Sequence, residues 1–324
     1  MNVLVTGGAG FIGSNLVDQL VKLGLKVTVI DNLITGRKSN LNHLKNKIRF
    51  VQLDISKDNI SRFFLNIDWV YHLAGLADVV PSITNPKDYF NCNVLGTLNV
   101  LEASKIHNVK KFIYAASASC YGIPKKYPTS ETAILDPKYP YALTKYLGEQ
   151  LVLHWSKIYK MHCISMRFFN VYGPRSRTTG AYGAVFGVFL RQKLAKKPLT
   201  IVGNGEQTRD FIHVYDLVDG LIKVAKLGKA SEVYNIAGGK EISVNTIADL
   251  ISPKRIYVPK RPGEPSRSLA NITKIKKKIK WKPKISIQMG VKMLLENIND
   301  WKDAPVWNKK KIKEATKVWF QYLS

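Results

Sequence analysis

Cysteine is scarce and scattered. Cys92, Cys120 and Cys163 form no C-x-x-C pair and are odd in number. A disulfide framework is therefore not expected. The six histidines show no H-x-x-x-H spacing, so no metal site is expected either. No run approaches the ~18 to 20 apolar residues that a membrane span needs. The first apolar strand begins by residue 3, leaving no room for a signal or transit peptide, and a cytoplasmic protein is expected. The last shortage is of acid: 23 Asp and Glu against 50 Lys and Arg, a net charge of +27. Such a field attracts polyanions. Yet the lysines are spread along the chain, and the densest runs, 274–280 and 309–311, have apolar residues among or beside them as a solvated helix face would. No helix-turn-helix, zinc-finger or aromatic-stacking signature accompanies them, so no specific nucleic-acid partner is expected.

What the chain has is a fingerprint at its start. Val3 to Val5 read as a buried strand, Gly7, Gly8, Gly10 and Gly13 follow at once, and Leu16, Val17, Leu20 and Val21 then recur at helical spacing. Strand, glycine turn and helix are the setting that a dinucleotide fingerprint requires. The early glycines permit dihedrals that other residues avoid, and Gly10 lets the backbone approach a pyrophosphate. Gly13 lets the helix lie close to the strand, the helix N-terminus faces the phosphates, and Phe11 and Ile12 just before it are expected among the cofactor contacts.

From residue 1 to about 167, strand and helix patterns alternate. Strands are predicted at 2–6, 26–30, 48–53, 68–73, 111–116 and 162–167, and helices near 13–23, 57–65, 86–107 and 140–160. This predicts an α/β fold, a doubly wound parallel sheet with ligand at the carboxyl ends of the strands. Asp31 ends the second strand, where a carboxylate accepts hydrogen bonds from both ribose hydroxyls and repels a 2′-phosphate. NAD is therefore expected over NADP, with Arg37 nearby as a reservation. Asp54, after the third strand, is either an adenine contact or a helix N-cap. In His72-Leu-Ala-Gly75, Leu73 and Ala74 lie where a cofactor crosses the sheet. Asn93 is expected to tie backbone to backbone.

The fifth strand ends in Ala115-Ala-Ser-Ala-Ser-Cys-Tyr-Gly122, with hydroxyls where substrate would sit. Tyr141 and Lys145 open the next helix four residues apart, hence on one face. A lysine ammonium and a positive nicotinamide both favour the phenolate, so such a tyrosine can act as a base. A second Tyr-x-x-x-Lys, Tyr121 to Lys125, contains Gly122 and Pro124 and is not expected to be helical.

Taken together, these stretches resemble the extended short-chain dehydrogenase/reductases, and within them the nucleotide-sugar 4-epimerases of the UDP-glucose 4-epimerase type. The resemblance rests on T-G-G-A-G-F-I-G at 6–13, D-N-L at 31–33, H-L-A-G at 72–75, the serine stretch, and Y-A-L-T-K at 141–145. It continues through R-F-F-N-V-Y-G-P at 167–174, G-N-G-E-Q-T-R-D-F at 203–211 and R-P-G-E at 261–264. It implies a triad of Ser117, Tyr141 and Lys145, with Asn32 and Ile55 joining the cofactor contacts. It also implies that Asn170, Arg209, Arg261 and Glu264 hold the nucleotide, and that Ser268, seven residues after Arg261, lies beside C2 of the sugar. A Rossmann domain (1–167 plus 211–237) would carry a smaller discontinuous lobe (168–210 plus 238–324). Helices 86–107 and 140–160 would pair in a homodimer. The implied activity is NAD-dependent epimerisation at C4 of a UDP-sugar, UDP-glucose and UDP-galactose with UDP-GlcNAc and UDP-GalNAc besides. The alternatives are a UDP-glucuronate or other nucleotide-sugar epimerase or dehydratase of the same family, and a non-catalytic, polyanion-binding member. Ala77 replaces the lysine of many galactose-type members. The Thr-Asp-Glu of the dehydratase relatives and the substrate motif of the decarboxylase relatives are absent.

Overall fold

The computed structural model describes residues 1–176, 185–261 and 263–323. Pro262 of the R-P-G-E stretch and residues 177–184 of the expected second lobe lie outside these. In chain order the first part runs β1 (Asn2–Thr6), α1 (Phe11–Lys22), β2 (Lys26–Ile30), β3 (Ile48–Val51), β4 (Trp69–His72), α2 (Val79–Thr84), α3 (Pro86–Phe90), α4 (Gly96–Ile106), β5 (Lys111–Ser117), α5 (Pro140–Ile158) and β6 (Cys163–Phe168). The remainder is β7 (Asn170–Tyr172), α6 (Val185–Leu194), β8 (Leu199–Val202), β9 (Thr208–His213), α7 (Val214–Leu227), β10 (Val233–Ile236), β11 (Glu241–Ser243), α8 (Val244–Ile251), β12 (Arg255–Val258), α9 (Thr273–Ile279), α10 (Ile287–Glu296) and α11 (Lys309–Tyr322).

Seven strands form one sheet in the order β10-β6-β5-β4-β1-β2-β3. Every pairing in it is parallel. Successive strand residues point to opposite faces, and here both faces are covered. Val3, Val5, Val27 and Val29 pack with Leu16 and Leu20 of α1 and Leu217 and Leu221 of α7. Leu4, Ile30, Val70 and Phe112 pack with Val100 and Leu101 of α4 and Val152 of α5. This is the predicted doubly wound fold. A third core, built on Tyr172, Phe189, Leu199, Ile201, Ile247, Leu294 and Trp301, holds together β7, α6, β8, α8 and α10. Its strands form two small sheets, β11-β9-β7 and β12-β8. Because β9 stays in a small sheet as far as His213, the chain returns to the main sheet at α7, from Val214.

Two predicted helices differ. Over 57–65 the chain forms only a 3₁₀ turn, Ser61–Phe63. Polar side chains there bond to backbone instead of leaving it for a helix: Asp58 accepts from Asp54 N–H at 2.6 Å, and Asn59 accepts from Ser61 N–H at 3.2 Å. The long helix 86–107 is interrupted by a π turn, Asn91–Leu95, between α3 and α4. Such turns re-aim a side chain within a continuing helix, and Asn93 is the one turned inward. The lysine runs lie where a solvated face was expected: Lys276, Lys277, Lys278, Lys309, Lys310 and Lys311 are exposed, while Ile275, Ile279 and Ile312 are buried.

Candidate active site

A cavity of about 610 Å³ runs along the carboxyl edge of the sheet, within the size range of small-molecule sites. Its wall begins at the glycine turn. Gly7 has φ +70°, and a Cβ there would stand 2.6 Å from Ala74 N. A Cβ on Gly13 would stand 2.1 Å from the Gly7 carbonyl oxygen. Both positions demand glycine, one for its dihedral and one for the closeness of helix to turn. Gly10 is the N-cap of α1 and has no side chain to occupy the space before the helix.

Asp31 is buried at the end of β2. It accepts from Ala9 N–H at 2.9 Å and Leu33 N–H at 2.8 Å. Desolvation pushes its carboxyl above the usual range, and the two backbone amides pull it back only in part. Asp54 lines the cavity further along. Burial pushes its pKa up, but hydrogen bonds from Ser56 (2.6 Å from Oγ, 2.9 Å from N–H) and Asn32 (3.1 Å) outweigh it, and the carboxyl titrates below its ordinary value. As no α-helix follows, Asp54 does not cap one. Arg37 reaches across to the Arg175 carbonyl at 3.4 Å.

The three residues of the implied triad lie at β5 and α5. Ser117 ends β5, and its Oγ accepts from Ser119 Oγ at 2.8 Å and Ser119 N–H at 3.2 Å. Tyr141, in the first turn of α5, is raised in pKa by burial, with a hydrogen bond to Ser117 pulling the other way. Lys145, one turn on, is buried, and desolvation lowers its pKa to about 8. Its Nζ stands 4.6 Å from the Tyr114 ring centroid. The sequence alone suggested that Lys145 would favour the phenolate. In the folded chain burial dominates Tyr141 instead, and Ser117, rather than Lys145, supplies the main opposing effect. Asn93 clamps the floor: it accepts from Leu76 N–H at 2.8 Å and donates to the Leu76 carbonyl and Thr144 Oγ1, each at 3.0 Å. That is the backbone tie expected of it.

All the residues expected at the cofactor, Gly7, Gly10, Phe11, Ile12, Gly13, Asp31, Asn32, Asp54, Ile55, Leu73, Ala74, Tyr141 and Lys145, line this one cavity, and so does Ser117. The sequence reading missed Asp78, Cys92, Phe168 and Phe169, which also line it. Their signal was position alone: Asp78 follows β4 by a short loop, and Phe168 ends β6. Asn170, Arg209, Arg261, Glu264 and Ser268 are not on the cavity wall. Arg209 donates to Glu264 at 2.6 Å, and Arg261 lies 4.0 Å from the same carboxylate. Asn170 donates to the Asp210 carbonyl at 3.3 Å. Ser268 is half-buried in a segment held at Ala270 N–H by Asp210 (3.0 Å) and at the Leu269 carbonyl by Thr129 (2.8 Å).

A parallel sheet whose glycine turn, buried aspartate and Tyr/Lys helix face one cavity defines a nicotinamide-dinucleotide enzyme of the extended short-chain dehydrogenase/reductase type. The sequence profile of the NAD dependent epimerase/dehydratase family matches residues 3–237, and the chain belongs to that family. Its cofactor is NAD. Among solved structures it is similar to UDP-glucose 4-epimerase of Thermotoga maritima, 36% identical with a TM-score of 0.86 over 91% of this chain and 98% of that one. It is also similar to UDP-N-acetylglucosamine 4-epimerase of Methanobrevibacter ruminantium, at 33% identity and a TM-score of 0.86 over 91% and 98%. A third is UDP-glucuronic acid 4-epimerase of Bacillus cereus, in complex with UDP-glucuronic acid and NAD, at 32% identity and a TM-score of 0.85 over 92% and 99%.

Proposed function

We propose that this chain is a UDP-sugar 4-epimerase acting on neutral hexoses. The observation that carries the reading is the meeting of Ser117, Tyr141 and Lys145 at one end of the cofactor cavity. NAD fits that cavity: Gly7, Gly10 and Gly13 line it, a Cβ on Gly7 or Gly13 would collide with the backbone that shapes the turn, and the Asp31 carboxylate lies on the wall. Bound NAD⁺ supplies the hydride acceptor and donor for C4. Tyr141 removes the proton from the 4-hydroxyl, which together with the loss of hydride from C4 leaves a ketone there. Ser117 donates to O4 and holds it beside the phenol. Lys145 holds the cofactor ribose. Once the planar ketone presents its other face, Tyr141 returns the proton, and the epimer leaves. Arg209, Arg261, Glu264 and Asn170 take the nucleotide diphosphate and ribose. The Rossmann part, 1–167 plus the return through α7 and β10, carries the cofactor, and the remaining lobe carries the substrate.

Cofactor choice rests on Asp31. Asp31→Ala should weaken NAD and relax discrimination against NADP, read by the nucleotide released from the denatured protein and by reconstitution with each. An unchanged preference would place the ribose contact elsewhere.

Sugar choice rests on two side chains. Asp78 is on the cavity wall, and its charge acts on Tyr141. A second carboxylate, at C6 of glucuronate, would be repelled there. By the resemblance, Ser268 would come beside C2 once substrate seats the second lobe, and a serine there would leave room that a tyrosine would fill. Overpacking a closed pocket costs about 1–3 kcal/mol. A panel of UDP-sugars with the epimers resolved tests both. UDP-glucose, UDP-galactose, UDP-GlcNAc and UDP-GalNAc should react, and UDP-glucuronate poorly. Ser268→Tyr should lose the N-acetylated pair and keep the plain pair. Rapid turnover of UDP-glucuronate would instead give the chain the activity of its Bacillus cereus relative. An unchanged ratio in Ser268→Tyr would remove that residue from the pocket.

A homodimer through α4 and α5 completes the reading. Leu95, in the turn before α4, and Leu143 of α5 are exposed, and a shallow groove runs along α5, lined by Leu147, Leu151, Leu153, Gln150, His154 and Lys157 with Val94 of the preceding π turn. Sedimentation equilibrium reads the mass directly.

A further inference from the structure

We propose that α11 forms the outer wall of the nucleotide-sugar site, and that Trp319 is a positioning residue for Arg261. The inference rests on the reading of Arg209, Arg261 and Glu264 as the substrate group. Ile312, Thr316 and Trp319 make one buried stripe of α11, while Lys309, Lys310, Lys311, Lys313 and Lys317 face solvent. The stripe decides which way the indole points. Its ring centroid is 6.4 Å from that of Tyr139. Tyr139 stacks on Tyr141 at 6.3 Å and 12°. The Arg261 guanidinium also lies 5.4 Å from the indole centroid. Arg261 is also 4.0 Å from Glu264, which is bound to Arg209 at 2.6 Å. One indole therefore bridges the tyrosine end of the cavity and the cation cluster.

The backbone repeats the contact. Gly263, between Arg261 and Glu264, has φ +67°, and a Cβ there would stand 2.8 Å from the Leu323 carbonyl oxygen. The turn that carries both charged residues is thus seated on the C-terminal end of α11. The same helix packs against α2, whose N-cap is Asp78 of the cavity wall. A guanidinium lying over an indole is attracted to the ring face and held in one orientation. Cations held in place before a diphosphate arrives bind it more tightly than cations ordered on arrival. Losing the indole should therefore cost substrate affinity and spare the cofactor, which lies at the other wall.

The test uses UDP as the probe. Calorimetric titration of wild type, Trp319→Ala, Trp319→Phe and Ile312→Ala is set beside the NAD content and melting temperature of each. Trp319→Ala should bind UDP about tenfold more weakly, with KM for the UDP-sugar rising in step, kcat little changed and NAD retained. Trp319→Phe should recover most of the affinity, since a ring face remains. Ile312→Ala, on the same stripe, should lower the melting temperature and leave UDP affinity alone. UDP binding by Trp319→Ala within about twofold of wild type overturns the proposal. Equal weakening in Ile312→Ala overturns it too, because α11 would then act only as a strut. Failure of the wild type itself to bind UDP would count against the nucleotide-sugar reading instead.

Discussion

Tyr141→Phe should lower turnover at least ~100-fold, the scale of a lost general base, while the protein keeps its fold and its NAD. The variant removes one oxygen and little else. The ring's neighbours, Tyr139 at 6.3 Å and Tyr89 at 6.4 Å, meet carbon that phenylalanine retains. What is lost is the hydroxyl that bonds to Ser117. Burial raises the pKa of that hydroxyl, so in the chain alone Tyr141 is a phenol. Desolvation also brings Lys145 down to about 8. Positive charge brought beside the phenol would favour loss of its proton. Steady-state epimerisation, with NAD content measured on the same sample, decides the matter. Near-wild-type activity in Tyr141→Phe would sink the assignment.

Glu149→Ala should destabilise the protein by about 3–5 kcal/mol, because it leaves a buried guanidinium without its counter-charge. Tyr141, Lys145 and Glu149 follow at steps of four along α5, so the residue that roots the helix lies on the face that carries the reacting pair. Glu149 is 1% exposed and Arg167 is 4% exposed. The pair is bidentate, with Arg167 Nη2 at 2.6 Å and Nε at 3.0 Å, and Ser165 Oγ adds a third donor at 2.7 Å. Arg167 Nη1 then donates to Tyr121 OH at 2.8 Å and to the Glu131 carbonyl at 3.0 Å. Tyr121 OH donates on to Asn235 at 2.7 Å. The network therefore joins α5 to β6 and β10. Domains are stable by only about 5–15 kcal/mol, so the loss is a large share of the total. Urea denaturation measures it. A shift below about 1 kcal/mol would show that water or a neighbouring acid replaces Glu149 without cost. The double variant Glu149→Leu with Arg167→Met should recover most of the loss, since the costly state is one charge left alone. The same network commits the hydroxyl of Tyr121, in the second Tyr-x-x-x-Lys pair, to Asn235 and Arg167.

The strands were legible because an all-parallel sheet buries both faces and so writes short, nearly continuous apolar runs. Val3 to Val5, Val27 to Ile30 and Phe112 to Ala116 are such runs. Asn93 could also be read, since an inward asparagine among apolar neighbours must find backbone partners. The 57–65 segment could not. Its apolar spacing suits a helix, but Asp58 and Asn59 offer the backbone competing partners, and that contest is settled by geometry. The π turn at 91–95 left no mark, because it adds a residue to a helix without changing the helix's composition.

By itself, the sequence determined the parts whose physics is local. The glycine turn needs glycine for dihedrals and close approach. Asp31 needs only to end its strand, and Tyr141 and Lys145 need only the pitch of a helix. The tertiary structure alone decided what lies between distant segments. Arg209 meets Glu264 across 55 positions, and Trp319 reaches Arg261 and Tyr139 from near the end of the chain. Asp78 enters the cavity because a loop after β4 turns it there. Burial also set the charges: desolvation raised Tyr141 and lowered Lys145, and desolvation depends on the whole surrounding fold, which no spacing of residues records.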